Sequence, residues 1–493
     1  MRAQELANTA WALARLSFTP APLFDAIASA SSRRVGDVGA SGGLEPRHLE
    51  MLLWAFSQLP GGLRLVEGLL DQLTSSDSVP GSLALAGPLS ACERPGELVD
   101  EGFRDRLLEC LAASGRGLLA PAVAALRDAH SAEVEGRDVA RAILRVVKEV
   151  GVPVGGFAQG DFFAPHEKEV RLLAYVLSTA PPGNPEKVCE AIEAFGQRNL
   201  SRAHGGEGGA SPFAGQWLKV AGGAKAEVLA AAVQLCPVRE GGLRILEVGA
   251  YCGYSALRLL GAAGPSARLL SLEADPGNAV VARCIVAYAG LHRRISVRIG
   301  HSEDVLPHLG RDAAVGPFDL VFFDQRGSRY HADLGVLEQQ GLLASSAVLV
   351  ADNVLKPGAP VFLWHLLFSG RYSTHLLPLE EYAMPGAEDW MSVSIRQAGG
   401  GSTPRGEELA AAAPPVPALL RRLDWEADRI RWRAERRPGV DFQQWAAFAE
   451  RMRQGLASVG VAPGVAEDVT PKDDLAGVCR QGLAALLDLN QRA

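Results

Sequence analysis

The stretch Arg244-Ile245-Leu246-Glu247-Val248-Gly249-Ala250-Tyr251-Cys252-Gly253-Tyr254-Ser255 decides how the rest of the chain is read. The short apolar run that opens it has the length of a buried strand and stops at a glycine turn. Glycine at 249 and 253 lets the backbone turn sharply and approach a ligand with no Cβ in the way. A helix is expected next, over Ala256–Leu260. The following apolar run, Arg268 to Leu272, ends in Glu273, 24 residues past the first glycine. In nucleoside-binding α/β folds a carboxylate there accepts hydrogen bonds from ribose hydroxyls. The turn lacks the Gly-x-Gly-x-x-Gly pattern, which argues against a nicotinamide cofactor.

Two more apolar runs close on oxygen-bearing side chains. Leu320-Val321-Phe322-Phe323 stops at Asp324, and Ala347-Val348-Leu349-Val350-Ala351 stops at Asp352-Asn353. An open parallel sheet binds its ligands beyond the carboxyl ends of its strands, so these ends converge on one edge. Two carboxylates and an amide oxygen form a hard, all-oxygen set suited to a cation such as magnesium. The alternation of strand-like and helical segments up to about Gln397 predicts an α/β, doubly wound domain.

Composition narrows the class. At 493 residues, 48% of them apolar and 21% charged, the chain is long enough for about three domains. Seven scattered cysteines without a Cys-x-x-Cys pair read as reduced thiols, not a disulfide or zinc framework. No apolar stretch approaches the roughly 18 residues of a membrane span, and no signal-peptide core follows Met1. The expectation is a cytoplasmic protein with no membrane partner. A net charge of −7 argues against a polyanion-binding surface over the whole molecule.

Three regions are expected: 1–160, helical and repeat-like; 161–398, the α/β domain; and 399–493, a linker with a helical extension. In the first, Leu6–Leu16 has an echo in Glu50–Leu59, with Trp11 and Trp54 43 residues apart. A poorer third copy runs from Glu101 to Leu126. This core resembles octotricopeptide and RAP-associated helical repeats, which often bind RNA. Residues 1–150 carry 15 Lys+Arg against 19 Asp+Glu, so RNA is a disfavoured partner and a helical packing or partner module the favoured reading. Helices are expected over 166–177 and 186–199, a flexible insert at Gly205–Gly209, and tail helices over 424–436 and 442–456. The tail's alternating charges read as a solvated face without chemistry.

Leu246 to Ala256 closely resembles the S-adenosylmethionine loop of the catechol O-methyltransferase family. The likeness runs from about His166 to Gln397. It includes Pro182-Gly183-Asn184-Pro185, Gly300-His301-Ser302-Glu303-Asp304-Val305-Leu306-Pro307, Ala351-Asp352-Asn353-Val354, Pro357-Gly358 and Glu381-Tyr382. The resemblance implies a Rossmann-like S-adenosylmethionine-dependent methyltransferase domain. It places Glu247, Gly249, Tyr251, Gly253, Ser255, Glu273, Ser302, Glu303 and Asp324 around the cofactor. Asp324, Asp352 and Asn353 match the family's magnesium ligands, and Glu381 its carboxylate for the hydroxyl that is not methylated. The acceptor implied is a small catechol-type diol.

One departure bears on mechanism. The family has Asp-His-Trp-Lys, with the lysine as general base; this chain reads Asp324-Gln325-Arg326-Gly327. Arginine cannot substitute, because its guanidinium stays protonated. Two routes to a working enzyme stay open: metal acidification alone, or a relocated base, with Lys356, three residues beyond Asn353, preferred over Lys219. Arg326, in the tryptophan's place, suggests a more polar or anionic acceptor. A domain that binds cofactor without catalysing, and a repeat-guided RNA methyltransferase, are the rival readings. Oligomeric state is left open.

Overall fold

The computed structural model describes most of residues 2–124 apart from short gaps, then 166–199, 218–397 without 238, 311–314 and 385, and 414–463 without 437–441. The glycine-rich insert at 205–209 lies outside the described residues. Six helices come first: α1 (Ala3–Arg15), α2 (Ala21–Ser32), α3 (Pro46–Ser57), α4 (Leu63–Ser75), α5 (Ala86–Cys92) and α6 (Glu101–Ala113). Then follow α7 (Glu167–Thr179), α8 (Pro185–Asn199) and α9 (Ala224–Gln234). The α/β alternation runs β1 (Arg244–Val248), α10 (Tyr254–Ala262), β2 (Arg268–Glu273), α11 (Pro276–Tyr288), β3 (Ile295–Ile299), α12 (Ser302–Leu309), β4 (Phe318–Phe323), α13 (Gly327–Gln339) and β5 (Leu343–Ala351). A wide turn, Val354–Gly358, leads into α14 (Pro360–Phe368), β6 (Tyr372–Glu380) and β7 (Glu388–Arg396). The tail holds α15 (Ala418–Arg436) and α16 (Phe442–Ser458).

The seven strands form one sheet in the order β3-β2-β1-β4-β5-β7-β6. The first five are mutually parallel, and β7 runs antiparallel between β5 and β6. The chain builds outward from β1 through β2 to β3, then returns to place β4 on the other side of β1. The strand ends at that reversal therefore frame a crevice. Their register is level: Val248 pairs with Leu272 and with Phe323, and Phe323 with Ala351. Because β7 is antiparallel, its first residues, Glu388 and Asp389, lie at the same edge as the last residues of β6.

Both sheet faces are covered, as continuous apolar strands require. One face packs into a cluster shared with α1 to α6, including Leu6, Ala10, Leu52, Phe56, Leu107 and Leu111. The other packs with Leu420, Leu423, Ala427, Ile430, Phe448 and Met452 of the tail helices. The charges expected to leave the tail solvated occupy only part of each helix. The apolar residues at 420, 423, 427 and 430 recur at helical spacing and are buried.

Trp11 and Trp54, the matched residues of the sequence echo, lie in α1 and α3 with ring centroids 6.4 Å apart. Trp54 also reaches the α/β domain, its indole N–H donating to Asp304 Oδ2 at 2.8 Å. Arg15 pairs with Glu303 at 3.3 Å. A Cβ on Gly300 would stand 2.5 Å from Ser90 Oγ of α5. The N-terminal helices thus abut the end of β3 and the start of α12. Trp54→Phe keeps most of the packing but removes one donor from the buried Asp304 carboxylate. It should cost about 1–3 kcal/mol in denaturant unfolding.

Candidate active site

The β1 turn is built as its glycines require. Gly249 sits at φ +111°, and a Cβ there would lie 2.1 Å from the Asp324 backbone oxygen. That close approach joins the ends of β1 and β4 across the crevice. Gly253, at φ +84°, caps α10. Glu247 is fully buried and accepts hydrogen bonds from Ser255, at 2.5 Å, and from Ser271. It ties the start of α10 to β2, and burial pushes its carboxyl up to about 7.

Glu273 stands at the end of β2. It accepts the backbone N–H of Tyr251 at 2.7 Å and of Asp275 at 2.9 Å. Burial pushes its carboxyl up to about 7 as well, against those two bonds. Tyr251 adopts a left-handed backbone, φ +46°, and its hydroxyl donates to Glu169 of α7 at 2.7 Å. Further along the edge, Ser302 donates to Gln325 at 3.2 Å, and Glu303 lies between Arg15 and Arg329.

The metal-type ligands meet a residue that sequence reading missed. Lys225, at the start of α9, is completely buried, with its ammonium 2.7 Å from Asp352 Oδ1, 2.8 Å from Glu381 Oε2 and 3.1 Å from Asp389 Oδ2. Burial alone would lower its pKa, but the charges of Asp352, Glu381 and Asp389 hold it well above the usual lysine range. Asp389 also takes the Asn353 side-chain amide at 2.6 Å and the Lys356 backbone N–H at 2.9 Å.

These bonds decide which oxygens remain. Asp352 Oδ1 accepts from Lys225 and from the Asn353 backbone N–H, which leaves Oδ2 without a donor among the described residues. The Asn353 amide nitrogen is committed to Asp389 and Glu381, so its Oδ1 is turned away from them. The Asp324 carboxylate has no hydrogen-bond donor among the described residues. Burial and then the neighbouring Asp352 charge push Asp324 well above the usual carboxylate range. Burial also raises Asp352 to about 7, against the opposing charge of Lys225. Three acceptor oxygens at adjacent strand ends, two of them on mutually repelling carboxyls, fit a small hard cation. Among the described residues no three His, Cys, Asp or Glu side chains form a metal-holding group; here the third oxygen would be an amide.

The remaining candidates are distributed as follows. Lys219 is exposed, and its charge acts on Glu273 at the end of β2. Lys356 is half-buried on the turn that follows Asn353. Arg326 is 47% exposed and faces Asp428 of α15 at 3.8 Å, so its charge is partly answered from within the chain. This weakens the expectation that Arg326 selects an anionic acceptor. Gly327 is packed hard: a Cβ there would lie 2.4 Å from the Gly358 carbonyl oxygen.

A family profile described as O-methyltransferase matches residues 221–362. Catechol O-methyltransferase of Mus musculus is 35% identical over 238 residues, which is 48% of this chain and 81% of that protein. The chain belongs to the catechol O-methyltransferase family. The Sus scrofa catechol O-methyltransferase is 46% identical over 140 residues, 28% of this chain and 75% of that protein. Among solved structures, the Bacillus cereus O-methyltransferase in complex with SAH is similar at 21% identity and TM-score 0.32, covering 52% of this chain and 97% of that one. The family is one of S-adenosylmethionine-dependent O-methyltransferases, and Lys225, Glu247, Glu273, Asp324, Asp352 and Asn353 all fall within the matched stretch. No helix among the described residues is long and apolar enough to cross a membrane.

Glu273 gives a pH-dependent expectation. We propose that Glu273 receives the ribose hydroxyls, as the resemblance implies; these donate to a carboxylate, so ribose binding requires the ionised form. With a free-protein pKa of about 7, ionisation falls from about nine-tenths at pH 8 to about one-tenth at pH 6. Affinity for 5′-methylthioadenosine, a neutral probe carrying the same ribose, should weaken by about tenfold over that fall in pH. Titration calorimetry on Glu273→Gln should show weak binding and no such slope.

Proposed function

We propose that this protein transfers the methyl group of S-adenosylmethionine to one hydroxyl of a catechol-type small molecule, with magnesium held by Asp324, Asp352 and Asn353. The observation that carries this reading is the set of oxygens on three residues, Asp324, Asp352 and Asn353, left without donors among the described residues at the ends of β4 and β5. In the reaction the C–S bond of the sulfonium breaks as a C–O bond forms, and the hydroxyl gives up its proton. Magnesium, when bound, acidifies the hydroxyl that is to be methylated.

The protein's own groups do the placing. Glu273 holds the ribose hydroxyls, and the Gly249 turn admits the cofactor's backbone-facing edge. Gly249 also locks β1 to Asp324, so that cofactor and acceptor sites share one rigid strand end. Such positioning contributes much of the acceleration in a two-substrate reaction. Glu381, held by Lys225, accepts a hydrogen bond from the hydroxyl that is not methylated. Lys225 cannot serve as the base, since three carboxylates keep it an ammonium. Lys356, on the turn after Asn353, is the lysine we assign to receive the proton.

The test is methyl-product formation from S-adenosylmethionine and catechol, with magnesium or with EDTA. Product should require magnesium. Asp352→Ala should lower kcat/KM by on the order of 10²-fold or more while cofactor affinity is kept. Lys356→Ala should lose about 10²–10⁴ in rate at neutral pH and recover as pH rises. Gly327→Lys should not restore a base, because its Cβ would collide with the Gly358 carbonyl; it should instead destabilise the fold. Cofactor binding with no methyl transfer to any diol, with or without magnesium, would favour the scaffold reading.

A further inference from the structure

The profile match ends at residue 362, yet the tail helices beyond it grip both loops that carry the metal-type ligands. On the β4 side, Arg431 Nη1 of α15 donates to the Gln325 backbone oxygen at 2.8 Å, one residue past Asp324. Asp428, one helical turn earlier, accepts the Ser328 hydroxyl at 2.6 Å and faces Arg326. On the β5 side, the fully buried Met452 of α16 lies against Gly358, where a Cβ would come within 2.6 Å of its Cε. Gly358, at φ +109°, in turn presses its carbonyl onto Gly327. Both loops are therefore held from outside by one helix pair, and they meet each other at Gly327.

We propose that α15 and α16 form a clamp that sets the spacing between Asp324 and Asp352–Asn353, with Arg431, Asp428 and Met452 as positioning residues. This inference rests on the magnesium reading given above. Within the α/β domain the buried Tyr330 hydroxyl already ties the two loops, 3.3 Å from the Gln325 carbonyl oxygen and 3.0 Å from that of Asp352. Gln325 and Gly358 follow the strand ends, where backbone hydrogen bonding within the sheet has stopped. A guanidinium on the Gln325 carbonyl and a thioether against a glycine add a second constraint, from outside the sheet. Groups that orient metal ligands from behind are typically worth 10–100-fold in metal affinity. The same packing accounts for glycine at 327: with the Gly358 carbonyl pressed onto it, the loop has no space for a lysine there.

The test uses the full-length protein, with magnesium and S-adenosylmethionine each titrated by calorimetry. In Arg431→Ala and Met452→Ala, magnesium affinity should fall about 10–100-fold, while S-adenosylmethionine affinity stays within about twofold. Arg431→Lys, which keeps a donor and the charge, should recover part of the loss. Trp425→Ala, on the exposed face of α15, should bind magnesium as the parent does. Met452→Ala opens a core cavity and lowers Tm; Arg431→Ala, at a half-buried site, keeps the test independent of folding. Unchanged magnesium affinity in both variants would overturn the clamp. So would equal loss of both ligands with a collapse in Tm, which marks a merely structural tail. If the parent protein binds S-adenosylmethionine but no magnesium, the functional reading itself fails and the clamp with it.

Discussion

The buried ammonium of Lys225 is the interaction on which the site depends. Asp324, Asp352, Glu381 and Asp389 bring four carboxyl groups to one sheet edge, an arrangement whose mutual repulsion would splay the loops apart. One lysine with no exposed surface answers three of them at 2.7–3.1 Å. Removing one partner from such a buried set typically costs about 3–5 kcal/mol, because the remaining charge is left without compensation. The arrangement also sorts the oxygens by role. Those facing Lys225 are spent on structure, and those facing away, on Asp324, Asp352 and Asn353, stay available.

Around that centre the two ends of the chain take opposite sides. The N-terminal helices pack on the end of β3, where Trp54 and Arg15 meet Asp304 and Glu303. The tail helices pack where β4 and β5 end, beside Gln325 and Gly358. A shared family core with different outer helices is a way to keep one reaction while changing what surrounds it.

Much of the site was legible because strand ends carry their own punctuation. Glu247, Glu273, Asp324 and Asp352 each follow an apolar run, and the structure puts all four at one edge. Lys225 was missed, although a signal was present. Lys225, Val228, Leu229 and Ala232 share one helix face, so the lysine lies on an apolar stripe and must find a buried counter-charge. Which carboxylates would answer it depends on β7 running antiparallel beside β5, a pairing that no local pattern encodes. The tail's charges do form an exposed face, at Arg421, Arg422 and Arg429, but its packing was missed for a related reason. Its many charges masked a narrow apolar stripe, and the Arg431–Gln325 contact spans 106 residues.

Diffraction from crystals grown with manganese and S-adenosylmethionine, measured at the manganese absorption edge, is the most direct test. The account predicts one anomalous peak bounded by Asp324, Asp352 and Asn353, with Lys225 still bonded to Glu381 and Asp389. A bound cofactor with no peak there, or with the Lys225 ammonium swung into that position, would contradict it.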